Sequence, residues 1–227
     1  MQLVGLNPEE HGDLHVRAAP PEDRRFVEIV ADEFAAAAAC CPILFVKNAE
    51  TGAFYAGAMF GFAEGEPLTA GDAGQFVPLD RKRAGFFISG DHIAIDEQCA
   101  RFSRSEGEPL FHADGSPAPA LRAIQAVLTQ LHRGKAETDA FIRTMLDLKL
   151  IEPISVSLKF DDGQKLELHG LYTIGLDGLA ELDDASVVSL FRSGHLQLAY
   201  TVALSARQIP LMAARHNARL SAGPPGA

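Results

Sequence analysis

The clearest pattern of apolar and polar residues lies in the second half of the chain. An apolar side chain occupies every second position from Ile154 to Phe160, and a further alternating run, QKLELHGLY, follows Asp161-Asp162-Gly163. Alternation with a period of two is typical of a half-buried strand, and Asp-Gly favours a tight hairpin turn. The pattern predicts a β-hairpin whose turn lies at Gly163.

Short apolar runs, rich in β-branched and aromatic residues, recur through the first half of the chain. Such runs predict strands. They lie at residues 13–18, 26–30, 43–46, 54–62, 85–89 and 92–96. Gly90-Asp91 separates the last two and predicts a second hairpin. The alanine-rich ADEFAAAAA, between the second and third runs, favours a helix.

The middle of the chain changes to helical spacing. In SPAPALRAIQAVLTQLHRG the apolar residues recur every three or four positions, Pro119 suits a helix start, and Gly134 suits the residue just past a helix end. The following ETDAFIRTMLDLKLIEP predicts a second helix, with Thr138 as its N-cap and Pro153 just beyond its end. The sequence therefore predicts two helices separated at Gly134.

Two further helices are expected near the C-terminus. DDASVVSLFRSG (183–194) begins with an aspartate that can cap a helix and ends with Gly194. Residues 195–220 are ambiguous, because apolar residues alternate like a strand from Leu196 to Leu204, but the length and the alanines favour a helix kinked near Pro210. Without regular βαβ alternation, the order of elements predicts an α+β fold, in which a largely antiparallel sheet from the N-terminal half packs with C-terminal helices and a β-hairpin. We expect one domain over residues 6–218 and a disordered tail over 219–227.

Composition narrows the class of partner. The chain of 227 residues carries 20 basic and 30 acidic residues, a formal net charge of −10. An acidic surface repels phosphate backbones and anionic lipid, so neither nucleic acid nor a membrane surface is an expected partner. No apolar run approaches the roughly 20 residues that span a bilayer, and no signal peptide is seen. We expect a soluble cytoplasmic protein.

Two weak patterns could carry chemistry. The first is His11-Gly12-Asp13, an HxD pair that could bind iron(II) together with a distant histidine, for which His169, His195 and His216 are the candidates. The alternative for HxD is a surface loop. No motif that marks a catalytic nucleophile or a nucleotide site occurs, and no cofactor is implied.

The second pattern is the basic cluster Arg81-Lys82-Arg83, which stands out in an acidic protein. Arg81 and Arg83, with Phe76 and Phe86 beside them, could present guanidinium groups and apolar surface to the carboxylate of a peptide. The alternative is a solvated turn between two strands. These four residues form our predicted ligand-binding face.

The pentapeptide EGEPL occurs at residues 64–68 and again at 106–110. Proline fixes φ and glycine permits a turn, while the residues around the two copies differ. We interpret the repeat as one kind of chain reversal used twice, and not as a duplicated site.

Taken together, five segments resemble the SapC family of bacterial proteins. They are LNPEEHGDLHV (6–16), EFAAAAACCPILF (33–45), FVPLDRKRAGFFI (76–88), IDEQCARFSRSEGEPLFHADG (95–115) and ETDAFIRTMLDLKLIEP (137–153). The chain departs from the family pattern at Cys41, where an aromatic residue is usual, and at Gly85, where proline is usual. The SapC permease of peptide transporters, a membrane protein, shares only the name.

The resemblance brings no established activity with it. It implies an accessory role beside receptor systems and modifying enzymes that handle a peptide or glycan. We therefore expect a non-catalytic accessory or binding protein with a peptide or protein partner. Two alternatives stay open at this point, an iron-dependent peptide- or glycan-modifying enzyme and a surface-layer structural component.

Overall fold

A computed structural model describes residues 3–19, 23–69 and 76–222. The strands are β1 (Leu3–Gly5), β2 (His15–Val16), β3 (Phe26–Glu28), β4 (Ile43–Lys47), β5 (Phe54–Met59), β6 (Phe86–Ser89), β7 (His92–Asp96), β8 (Phe102–Ser103), β9 (Glu108–Pro109), β10 (Ile151–Lys159) and β11 (Lys165–Ile174). The helices are α1 (Pro8–His11), α2 (Phe34–Ala38), α3 (Leu79–Lys82), α4 (Pro119–Asp147), α5 (Leu176–Ala180), α6 (Asp184–Ser193), α7 (His195–Ser205) and α8 (Gln208–Ala222). A 3-10 turn at Ala31–Glu33 leads into α2.

Tertiary contacts divide the chain into two compact units, where the sequence predicted one domain. The first contains residues 1–22 and 77–133, and the second contains residues 23–76 and 134–227. The α+β class is confirmed, because antiparallel sheets combine with C-terminal helices. None of the helices in the described ranges is long and apolar enough to cross a membrane.

The first unit holds two three-stranded antiparallel sheets, in the orders β1-β7-β6 and β8-β2-β9. The predicted hairpin of β6 and β7 is confirmed, with Gly90 at a φ of 58° in its turn. The core of the first unit consists of Leu14, Val16, Phe86, Ile95, Leu110, Phe111, Ala120, Leu121, Ile124 and Leu128. The last four belong to one stripe at the start of α4, so the helical spacing in the sequence marked a true core face.

The second unit is built on a five-stranded antiparallel sheet in the order β10-β11-β4-β5-β3. The predicted hairpin of β10 and β11 is confirmed, with Gly163 at a φ of 85°. It joins the sheet through β4, so the sheet contains strands from both halves of the chain and not from the N-terminal half alone.

Cys41 is fully buried in the core beside the sheet. Its hydrogen bond with Cys40 and its burial raise the pKa of its thiol.

The C-terminal helices follow the sequence closely. Asp183 caps α6 by accepting a hydrogen bond from the backbone NH of Ser186, and Gly194 ends it with a φ of 79°. The chain then breaks between α7 and α8, just before Pro210, which occupies the first turn of α8 where its missing NH costs nothing. Helix α8 continues to Ala222, so residues 219–222 of the predicted tail are helical, and 223–227 lie outside the described residues.

The prediction of two helices separated at Gly134 was wrong. Helix α4 runs unbroken for 29 residues. Gly134 lies inside this helix, and the position needs a glycine because a Cβ there would lie 2.7 Å from Cγ2 of Val30. Thr138 is no N-cap, since its hydroxyl donates to the carbonyl of Gly134 (2.6 Å) and accepts from the NH of Ala31 (2.8 Å). Gly134 and Thr138 therefore both lie in the contact between α4 and the segment that follows β3.

This contact makes Gly134→Ala a sharp test of the packing. Alanine normally stabilises a helix interior by about 1 kcal/mol relative to glycine. Here we expect a net destabilisation of about 1–3 kcal/mol, because the added methyl group overpacks against Val30. Urea denaturation would measure it. As a control, Ala136→Gly at an exposed position of the same helix should cost about 1 kcal/mol. A Gly134→Ala variant more stable than the parent would contradict the tight approach.

Candidate functional site

The predicted ligand-binding face is largely used for internal contacts. Arg83 forms an ion pair with Asp80, donates to the carbonyl of Phe86 (3.3 Å) and lies 5.1 Å from the ring centre of Phe87. Arg81 donates to the carbonyl of Ala19 (3.3 Å). These bonds hold both arginines against their own unit, which leaves less of each guanidinium for a ligand.

The two phenylalanines of that face are placed differently from the expectation. Phe86 is fully buried, with its ring 5.0 Å from that of Phe102, so it offers no apolar surface to a ligand. Phe76 belongs to the second unit, where its ring stacks on Phe60 at 6.2 Å, whereas Arg81 and Arg83 belong to the first. Within the first unit, the aromatic ring beside Arg83 is that of Phe87 and not that of Phe86.

A buried arginine explains how the basic cluster is held. The side chain of Arg101 donates to the carbonyls of Lys82 (2.9 Å), Ala84 (2.8 Å) and Arg17 (3.2 Å). Arg101 is only 8% exposed, and burial lowers its pKa. Its side chain binds two backbone oxygens at the end of α3 and the turn after it, and a third just after β2, a role that the sequence analysis did not assign.

The residues of the proposed iron site have other partners. His11 is buried, with Nδ1 3.2 Å from the carbonyl oxygen of Asn7 and Nε2 3.5 Å from Glu97. Asp13 pairs with Arg104, which lowers the pKa of the Asp13 carboxyl. Within the described ranges no three His, Cys, Asp or Glu side chains are grouped to hold a metal ion.

The three histidines considered as a further ligand are also engaged, all in the second unit. His169 is paired with Glu167 (3.4 Å) and His216 with Glu66 (2.7 Å). His195 packs edge-on against Phe141 at 5.5 Å, and burial lowers its pKa. Each of these contacts is a structural one, so the iron hypothesis receives no support from them.

The two EGEPL segments share a bound first glutamate and a positive-φ glycine, and then continue differently. Glu64 accepts a hydrogen bond from the backbone NH of Arg25 (2.9 Å), and Glu106 forms an ion pair with Arg17 (3.1 Å). The next residue is in each copy a glycine with a positive φ, 75° at Gly65 and 105° at Gly107. The second copy then enters strand β9 (Glu108–Pro109), whereas the first copy contributes no strand.

An open groove of about 950 Å³ lies in the second unit. One wall comes from the sheet and from the turn between β4 and β5, and the other comes from the second half of α4. The lining residues are Phe26, Glu28, Lys47, Asn48, Ala49, Thr51, Ala53, Phe54, Tyr55, Lys135, Asp139, Ile142, Arg143 and Leu146. The five from α4 recur at intervals of one to four residues, so they form one stripe of the helix.

The turn that rims the groove is held by its own hydrogen bonds. Asn48 Oδ1 accepts from the NH groups of Glu50 (2.9 Å) and Thr51 (3.0 Å), and the NH of Asn48 donates to the carbonyl of Ala53 (2.8 Å). Gly52 provides the positive φ of 69° that closes the turn. A ligand would therefore meet a rim that is already ordered, which lowers the entropic cost of binding.

The sheet wall combines a cation with aromatic rings. Lys47 Nζ lies 5.1 Å from the ring centre of Phe54 and 5.3 Å from that of Tyr172, and the two rings meet edge to face at 4.9 Å. Cation–π contacts of this kind keep the ammonium group in place on the sheet surface. Tyr55, the next residue of β5, points to the opposite face of the sheet, where it packs edge-on against Phe26 at 6.2 Å.

The helix wall contributes charges of both signs. Lys135 pairs with Glu28 across the groove (3.5 Å), and Arg143 donates from Nε to the backbone carbonyl of Asp139 (3.2 Å). Ile142 is buried beside them and Leu146 is 41% exposed. The groove therefore presents charges of both signs, hydrogen-bond donors and apolar surface together.

A family model named SapC matches residues 6–211. The chain belongs to the SapC family. No curated protein and no solved structure matches it. The match takes in the whole groove and both EGEPL segments, so these features lie inside the SapC region of the chain.

The sequence analysis missed the groove for an identifiable reason. Its walls come from segments some 80 residues apart, Phe26–Tyr55 and Lys135–Leu146, and each looks ordinary alone. Breaking α4 at Gly134 also concealed the helical stripe. The available signal was a lysine and two aromatic residues, Lys47, Phe54 and Tyr55, on either side of a polar turn.

The role of Arg101 can be tested by substitution with methionine, which keeps the length of the side chain. We expect Arg101→Met to destabilise the protein by about 2–4 kcal/mol in urea denaturation, because three backbone carbonyls lose their donor. Arg104→Met removes an exposed arginine from the same unit and should cost far less, since exposed ion pairs contribute little. Equal effects of the two substitutions would contradict the supporting role of Arg101.

Proposed function

We propose that this member of the SapC family is a soluble, cytoplasmic, non-catalytic binding protein whose ligand is a peptide held in the groove between β4–β5 and α4. The groove itself carries the proposal. Its volume of about 950 Å³ is at the upper end of the range for ligand sites, which is roughly 300–1,000 Å³. A site of that size has room for more than a single amino acid.

The construction of the walls supports a binding role. Both walls are regular elements fixed to the core, since Phe45 of β4 packs against Phe141 of α4 with ring centres 6.3 Å apart. Sites on helices and strands keep their geometry better than sites on loops. The surface they form mixes aromatic side chains with a few polar groups, which is the usual composition of a pre-formed ligand site.

The groove suits a ligand better than the basic cluster does. Arg83 is tied to Asp80 and to a backbone carbonyl. Lys47 and Arg143 are exposed, and neither forms an ion pair with a residue in the described ranges. We therefore place the ligand at Lys47, Phe54 and Arg143. The accessory role beside receptor systems and modifying enzymes, which the family resemblance implies, is part of the proposal.

Blocking the groove tests the proposal. Ala53 is exposed on the groove rim, so Ala53→Trp would fill part of the groove without disturbing the core. The purified protein is incubated with a mixture of random hexapeptides, and the retained peptides are identified by mass spectrometry. We expect the parent protein to retain a subset of peptides and Ala53→Trp to lose at least about nine-tenths of that retention, which corresponds to roughly 1.4 kcal/mol.

A matched control is Ala185→Trp, which adds the same side chain at an exposed position on α6 of the same unit. It should retain the same peptides as the parent. The proposal fails if the parent retains no peptides, or if Ala53→Trp retains them as well as Ala185→Trp does.

A further inference from the structure

The charges in the groove narrow the class of peptide, provided that the groove binds one as proposed above. Among its three cations, Lys135 is paired with Glu28. Neither Lys47 nor Arg143 forms an ion pair with any residue in the described ranges. Asp139 also lines the groove and brings one further carboxylate, so the five charged lining residues are three cations and two carboxylates. In a chain with ten more acidic than basic residues, a groove with this excess of positive charge is complementary to an anionic ligand.

The geometry of Arg143 favours a carboxylate over other anions of similar charge. Its Nε donates to the carbonyl of Asp139 one turn earlier, which fixes the near end of the guanidinium. The two terminal nitrogens have no hydrogen-bond partner within the described ranges. A guanidinium held in this way can donate two parallel hydrogen bonds to a carboxylate, and an ammonium group cannot form this arrangement.

The apolar contacts lie next to that guanidinium. Leu146, which is 41% exposed, follows three residues after Arg143 on the same stripe of α4, about 5–6 Å away between Cβ atoms. Ile142 also lines the groove but is only 4% exposed, so it contributes little surface to a ligand. Phe54 offers apolar surface on the opposite wall. A ligand that fits must therefore carry a carboxylate and an apolar side chain within one side-chain length of each other.

We propose that the groove recognises the free C-terminus of a peptide whose last residue is apolar. In such a residue the carboxylate and the side chain share one Cα, which matches the spacing of Arg143 from Leu146 on α4. Lys47, held over Phe54, adds a second positive charge on the other wall. The preceding peptide residues then extend along the remainder of the groove.

The test uses three peptides of one length. The first is Gly-Ser-Gly-Ala-Leu with a free carboxylate, the second is the same peptide as its C-terminal amide, and the third is the amide with glutamate in place of alanine. Binding is measured by isothermal titration calorimetry at fixed salt. We expect the free acid to bind at least about tenfold more tightly than either amide, since charge-assisted bidentate hydrogen bonds are strong.

Variants locate the carboxylate. Arg143→Gln should weaken binding of the free acid at least about tenfold and leave binding of the amide unchanged. Arg143→Lys should recover part of the lost affinity, because it restores the positive charge but not the planar guanidinium. Arg192→Gln removes an exposed arginine from α6 of the same unit and should change nothing. Because Arg143 is exposed, an unchanged Tm is expected for each variant and checks that it is folded.

The outcomes separate the two proposals. Equal binding of the acid and the first amide, both lost in Ala53→Trp, would overturn C-terminal recognition and leave a peptide-binding groove. Tight binding of the glutamate-containing amide would show that the groove takes an acidic side chain and would also overturn it. Failure of all three peptides, together with no retention of random hexapeptides, would overturn the proposed function itself.

Discussion

The approach of helix α4 to the chain after β3 is the constraint on which the second unit and its groove depend. Gly134 lets Val30 come within contact distance of the helix, and Thr138 receives the NH of Ala31 in a buried hydrogen bond. These two contacts lie one turn apart, so they fix both the position and the rotation of the helix. The following turns then bury Phe141 in the core and direct Arg143 and Leu146 to the groove.

The same contact shows why part of the fold could be predicted from the sequence and part could not. Hairpins and capped helices depend on residues close in the chain, so Gly163, Asp183 and Gly194 were predicted correctly. Gly134 has the local signature of a helix end, but its reason is a neighbour about 100 residues away, Val30. Thr138 was misread in the same way, since its partner Ala31 is equally distant.

The site was harder to predict than the fold because charge in a sequence does not show which cations are already paired. Arg81-Lys82-Arg83 is the densest basic cluster, yet these cations are already engaged within their own unit. Arg101 donates to the carbonyls of Lys82 and of the neighbouring Ala84, and Arg83 is paired with Asp80. Lys47 and Arg143 are isolated in the sequence and become neighbours of one groove only through folding. The family match covers the groove residues, and the ligand is inferred from their chemistry alone.

The central claim is that the groove between β4–β5 and α4 is where this member of the SapC family binds its ligand. Titration of the isotope-labelled protein with Gly-Ser-Gly-Ala-Leu, followed by amide chemical shifts, tests it most directly. We predict that the largest shift changes fall on residues 47–55 and 135–146 and saturate together. Changes centred on residues 80–87 of the basic cluster, or none at all at saturating peptide, would contradict the account.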